Sequence, residues 1–229
     1  MPELSPDAWI AIALSFKVAA VATLWGVPLS TLLALVLARG RFPGKALFDG
    51  VIHLPLVLPP VVTGYVLLLL LGRKGPVGAF LDQHFGIVFA FRWTGAVVAA
   101  VIMALPIIVR AIRLSIEAVD ARLEQASGTL GAGPVSTFFL VTLPLSLPGI
   151  LVGATLGFAK ALGEFGATIT FVSNIPGETR TIASAIYTAS QSPEGDAEAL
   201  LLSVIAAVIG LAALVASEVI ARRFRRASS

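Results

Sequence analysis

Between Leu123 and Pro144 the chain reads LEQASGTLGAGPVSTFFLVTLP, a polar, glycine-broken stretch lodged between two apolar runs of membrane-spanning length. Loop backbone inside the hydrocarbon core would leave its N–H and C=O groups unpaired, so this stretch must lie outside it, within reach of a soluble partner. What surrounds it is lipid-soluble. Of 229 residues, 57% are hydrophobic and 13% charged, and the mean hydropathy is +0.96. Soluble domains carry roughly twice that charged fraction, so the composition indicates an all-α integral membrane protein. No polar interval is long enough for a separate soluble domain, and residues 1–229 read as one transmembrane domain with a loop at about Glu117–Thr137.

Five runs approach or exceed the roughly 20 residues that cross a bilayer. They are Trp9–Ala38, Val51–Leu71, Thr94–Ile112, Phe138–Leu162 and Leu200–Ile220. A sixth crossing between Glu164 and Ala189 is interrupted by Asn174, Pro176, Gly177, Glu178 and Arg180, and is expected instead as a re-entrant or outer-face segment. The bundle therefore has five helices, or six if that segment crosses. Ten Lys and Arg fall on one side: Arg39, Arg41, Lys45, Arg110, Arg113, Arg122, Arg222, Arg223, Arg225 and Arg226. Four fall on the other (Arg73, Lys74, Arg92 and Arg180), together with Glu3, Asp7, Asp82, Glu178, Glu194, Asp196 and Glu198. Positive loops stay inside, which places the C-terminus and the polar loop in the cytoplasm and the N-terminus outside. The same distribution assigns the basic balance to membrane topology, against nucleic-acid binding. Glu3 and Asp7 stand where a cleaved signal would have basic residues, so the first run is expected to remain.

Within the loop, Val119, Leu123, Ala126 and Leu130 recur at i, i+4, i+7 and i+11, one face of a short helix. Arg122, Glu124 and Gln125 lie around the other faces. Gly131 then permits a turn, and Pro134 discourages continuation of the helix. The periodicity fits equally an interfacial helix on lipid headgroups and a helix docked in a partner's groove. Pro28, Pro55, Pro59, Pro60, Pro106, Pro144 and Pro148 fall in or beside apolar runs and should bend them. Lys160 and Glu164 stand at i, i+4 and can pair. Both sit near the outer end of the fourth run, where snorkelling is cheap, and Lys17 is expected to snorkel too.

The absent chemistry is equally informative. Zero cysteines exclude thiolate metal sites, and two scattered histidines, His53 and His84, make no metal centre. The chain contains no HExxH, GxSxG or GxxxxGK[ST], so no catalytic residue or cofactor is expected, and any ATP must be bound by another subunit. No internal repeat supports an inverted-repeat carrier.

The loop resembles that of ABC-transporter permeases, E-A-A, three residues, Gly, nine residues, I-x-L-P. Gln125-Ala126-Ser127 take the triplet, Gly131 the glycine, and Val141, Leu143 and Pro144 the end, with Gln125, Ser127 and Val141 as substitutions. The runs HLPLVLPPVVTGY at 53–65, ALGEFGATITF at 161–171 and NIPGETRT at 174–181 resemble molybdate permeases. The resemblance implies a type I ABC importer permease that moves molybdate, and also tungstate, into the cytoplasm from the bacterial inner membrane. It implies a homodimer, two cytoplasmic ATPase subunits and a periplasmic molybdate-binding protein. It makes Leu123, Glu124, Gln125, Ala126, Leu130, Gly131 and Ala132 candidates for ATPase coupling, and Lys160, Glu164 and Thr168 candidates for the translocation path or gate. A sulfate or thiosulfate permease is the alternative within the class, an ion-coupled secondary carrier the alternative outside it.

Overall fold

The computed structural model describes residues 4–227, with backbone only for 217 and 220–227. Glu3 therefore lies outside the described residues, as do the side chains of Arg222, Arg223, Arg225 and Arg226. The described chain is helical: α1 (Pro6–Arg39), α2 (Lys45–Val57), α3 (Pro60–Leu71), α4 (Pro76–Phe85), α5 (Trp93–Glu117), α6 (Ala121–Thr129), α7 (Pro134–Thr137), α8 (Leu143–Leu162), α9 (Gly166–Val172), α10 (Ile182–Ser190) and α11 (Asp196–Ala227). A π-helical turn, Phe138–Thr142, joins α7 to α8. Pro144 has no N–H to return to the preceding turn, and the wider turn sits just ahead of it.

α5 is the axis. Ala96, Ala99, Ala100 and Ala104 are buried along it, and α1 meets it with Ala19, Ala22 and Ala34. Lipid tails are as apolar as Leu, so close backbone approach through small residues is what drives such helices together. The glycines of α8 do the same work. A Cβ at Gly157 would come within 2.5 Å of Ile108 Cδ1, and one at Gly149 would overlap the Ser115 side chain.

Among the described residues, four helices are long and apolar enough to cross a membrane: Pro6–Arg39, Trp93–Glu117, Pro134–Leu162 and Asp196–Ala216. The second apolar run, expected as one straight crossing over Val51–Leu71, is instead the pair α2 and α3, bent by 115°. Pro59 and Pro60 end one helix and start the next: Leu58 and Pro59 are extended, and Pro60 opens α3. The pair still connects both ends of the bundle. Asp49 of α2 reaches Arg113 near the end of α5, while Leu67 of α3 packs with Ala90 and Ala96 at its beginning. Counted as one span, it makes the fifth.

The interrupted segment after α8 forms no continuous helix. α9 has seven residues and stops at Ser173, whose φ is +67°. Phe171 and Val172 are fully buried in the core around α5. Thr179 closes the following loop by accepting from the Ile175 N–H at 2.9 Å. α10 is tied to α1 where the Ile182 N–H donates to Ser15 Oγ at 2.7 Å.

Candidate functional site

At the α6 end, the polar loop is a compact projection. Asp120 caps α6 by accepting from the Arg122 N–H at 2.9 Å. At the other terminus the Gly131 N–H donates to Gly128 O at 3.0 Å and the Ala132 N–H to Ser127 O at 3.1 Å. This double closure is the Schellman arrangement, which needs a left-handed residue where Gly131 stands, and its φ is +89°. Nothing lies within 4 Å of the position a Gly131 Cβ would take, so the glycine serves the turn and leaves open space beside it.

The apolar side chains of α6 face outward. Leu130 is 88% exposed, and Leu123, Gln125 and Ala126 are exposed as well. Two of its polar side chains, Glu124 and Ser127, turn inward, while Arg122, Gln125 and Thr129 stay exposed. Glu124 takes an ion pair from Arg39 at 3.1 Å and a hydrogen bond from Thr142 Oγ1 at 2.7 Å. Arg39 Nη2 also donates to the carbonyls of Ile116 and Val119 at 3.1 and 3.0 Å, satisfying the open end of α5. Ser127 Oγ and Thr137 Oγ1 lie 3.2 Å apart. One guanidinium thus joins the ends of α1 and α5 to α6, and Glu124 carries the connection on to the π-turn before α8.

This geometry corrects one expectation: Val119 does not belong to the α6 stripe, since it precedes the helix and is buried. Glu124, off that stripe, is the anchor that holds the projection to the bundle. Ala132 is half-buried beside the turn.

At the opposite end, Lys160 Nζ meets Glu164 Oε2 at 2.6 Å. The Glu164 side chain is 1% exposed, so the expectation that it snorkels to the surface is wrong. Gly163 breaks the helix after α8, folding the carboxylate back so that Oε1 accepts from the Ala167 N–H at 3.0 Å in the first turn of α9. Thr168 is buried, and its hydroxyl donates to Phe165 O at 2.9 Å, which turns it into its own helix. α9 presses on α3 at Gly64, where a Cβ would sit 2.8 Å from Ala167 Cα, and Gly166 presses on Pro60 in the same way. Lys17 lies 3.6 Å above the Trp93 ring at the start of α5, an amphipathic resting place that fits snorkelling.

Sequence reasoning found the Lys160–Glu164 pair but missed the partners of Glu124 and the Ala167 N–H that Glu164 accepts. It also missed the network in which Arg113 bonds Asp49 at 3.1 Å and Glu117 at 2.7 Å, with His53 beside Asp49 at 3.1 Å. The i, i+4 spacings of Arg113 with Glu117 and of Asp49 with His53 were the available signals.

A helical bundle with a broken second span and a capped projection between its central spans defines a transporter membrane subunit. The chain belongs to the family of binding-protein-dependent transport system inner membrane components, whose model matches residues 26–226, and it is a multi-pass membrane protein. It is 56% identical over 219 residues to the molybdenum transport system permease protein ModB of Escherichia coli K12, covering 96% of each chain. It is 53% identical over 216 residues to ModB of Haemophilus influenzae, covering 94% of each. The sulfate transport system permease protein CysT of Salmonella typhimurium stands further off, at 34% over 203 residues, covering 89% of this chain and 73% of its own. Among solved structures, a bacterial ABC transporter that imports the polysaccharide alginate superposes with a TM-score of 0.76 at 18% identity, covering 96% of this chain and 80% of that one. That likeness establishes the fold.

Proposed function

We propose that this chain is the membrane-spanning permease of an ATP-driven importer of molybdate, with tungstate as a second cargo, working as two copies with two cytoplasmic ATPase subunits and a binding protein on the outer side. The near full-length identity to two ModB permeases supports the cargo. The α6 projection supports the drive. Glu124 and Ser127 are consumed internally, leaving Leu123, Ala126 and Leu130 exposed for a groove in a partner, with Arg122 and Gln125 beside them. Closure of the ATPases would push on α6, and the rigid link Glu124–Arg39 would carry that displacement to α1 and α5, rocking the bundle as a body. The chain itself contributes no ATP chemistry and needs no cofactor.

The charge count supports a cytoplasmic α6 end with the N-terminus outside, since Arg39, Lys45, Arg113 and Arg122 all gather there. Specificity then rests mainly with the binding protein. A sulfate reading shares the projection and the fold, and is disfavoured by the lower identity.

The test is uptake of labelled molybdate by vesicles holding permease, ATPase and binding protein. Uptake should require internal ATP and the binding protein, and should be competed by tungstate far more than by sulfate. Uptake by permease alone under an ion gradient would establish the secondary-carrier alternative.

A further inference from the structure

The transport reading leaves open what the anion touches, and one cation on α5 has no structural role to occupy it. Arg113 is held by Asp49 and Glu117, Arg39 by Glu124, Lys160 by Glu164, and Lys17 by the Trp93 ring. Lys45, at the start of α2, donates to the Gly40 carbonyl at 3.1 Å. Among the described side chains of the spanning helices, Arg110 is the remaining cation, and it has neither acid nor hydrogen-bond partner. It is exposed, about two turns before the α6 end of α5. It looks into a groove of about 620 Å³ between α2, α5 and α8, whose other walls include Leu56, Leu114, Val152 and Leu156. The floor is where α5 and α8 meet most closely, with Gly149 against Ser115.

An unpaired guanidinium on a spanning helix is costly against lipid and becomes tolerable where water reaches it. Its planar donor fork suits an oxyanion. The rest of the wall is apolar and offers few competing donors, so an anion would be met there and not retained. That is what a conducting path needs.

Resting on the transport reading above, we infer that Arg110 is an anion-contact point on the translocation path, an oxyanion-specific residue in the half of the bundle nearest α6.

The chain has no native cysteine, so Arg110→Cys creates a single addressable thiol. In vesicles of the full complex, Arg110→Cys should lower molybdate uptake about tenfold, the scale of one lost charge-assisted contact. ATPase assembly and stimulation by loaded binding protein should persist. A 2-aminoethyl thiosulfonate, which restores a cation without the planar fork, should recover part of the uptake, and the 2-sulfonatoethyl reagent should recover none. Arg110→Lys should fall between Arg110→Cys and wild type for the same reason. Unchanged uptake in Arg110→Cys, equal effects of the two reagents, or a thiol that neither reaches would overturn the assignment; the last outcome would place Arg110 against lipid or the second copy. A wild-type complex that takes up no molybdate would instead defeat the transport reading itself.

Discussion

At the α6 end a glutamate is held by an arginine 85 positions away, half-exposed, with a threonine from a third element completing the grip. At the opposite end a glutamate is held by a lysine four positions away, fully buried, with a backbone N–H completing it. The first arrangement ties separate helices into one lever through side chains. The second closes a local break and lets α9 lie directly on the backbone of α3. Under the coupling role proposed above, such a lever would carry force across elements to a partner. The second, a tight seal of α9 on α3, tolerates no slack.

The contrast would break most visibly at the seal. Gly64→Val should cost about 3 kcal/mol of stability or more, because even a Cβ overlaps the Ala167 backbone and neither helix can yield. Thermal denaturation in detergent would measure it, and a wild-type midpoint would show that α3 and α9 do not press together. Next is the reversed pair, Lys160→Glu with Glu164→Lys. A surface pair would survive reversal with a change of a few tenths of a kcal/mol. Here the new ammonium would face the Ala167 N–H in a buried site, so a loss of about 2 kcal/mol is expected. Retained stability and uptake in the double variant would return Glu164 to a simple ion pair.

At the lever, Glu124→Ala should cost about 1–2 kcal/mol, since Arg39 keeps its two carbonyl partners, Ile116 on α5 and Val119 just past it. ATP hydrolysis should continue while uptake per ATP falls. Proportionate loss of both would mean that Glu124 only stabilises. The smallest stability effect belongs to Gly131→Asp, about 1 kcal/mol for an acid in the left-handed region. The added carboxylate would enter open space on the docking side, so ATPase copurification and uptake should be lost from an otherwise folded protein. Wild-type copurification would remove α6 from the coupling role.

The spans were legible because an apolar run of about 20 residues has few other uses. The bend at Pro59–Pro60 was less so: hydropathy continues through both prolines, and a sliding average cannot register a 115° turn. The turn at Gly131 was visible because glycine and Pro134 mark it locally. The partner of Glu124 was not legible because helical periodicity knows only neighbours three and four places away, whereas its arginine arrives from the end of α1. The Lys160–Glu164 pair was legible at i, i+4, but the burial of Glu164 was not. Its place near the end of an apolar run suggested a surface, and nothing in the local pattern announced that Gly163 would fold the chain back over it.

The elbow between α2 and α3 also bears on how this protein enters a membrane. Helices of 13 and 12 residues extend only about 18–20 Å, short of a hydrocarbon core of about 30 Å. Neither half can therefore stop in the bilayer alone as an independently inserted segment. Pro59 and Pro60 offer no N–H to the carbonyls one turn before them, and those carbonyls would meet lipid unless other helices already surround them. Stable integration of this stretch thus waits for α5 and α9, both later in the chain, and a nascent product ending before α9 should be a poorly anchored substrate for membrane quality-control proteases.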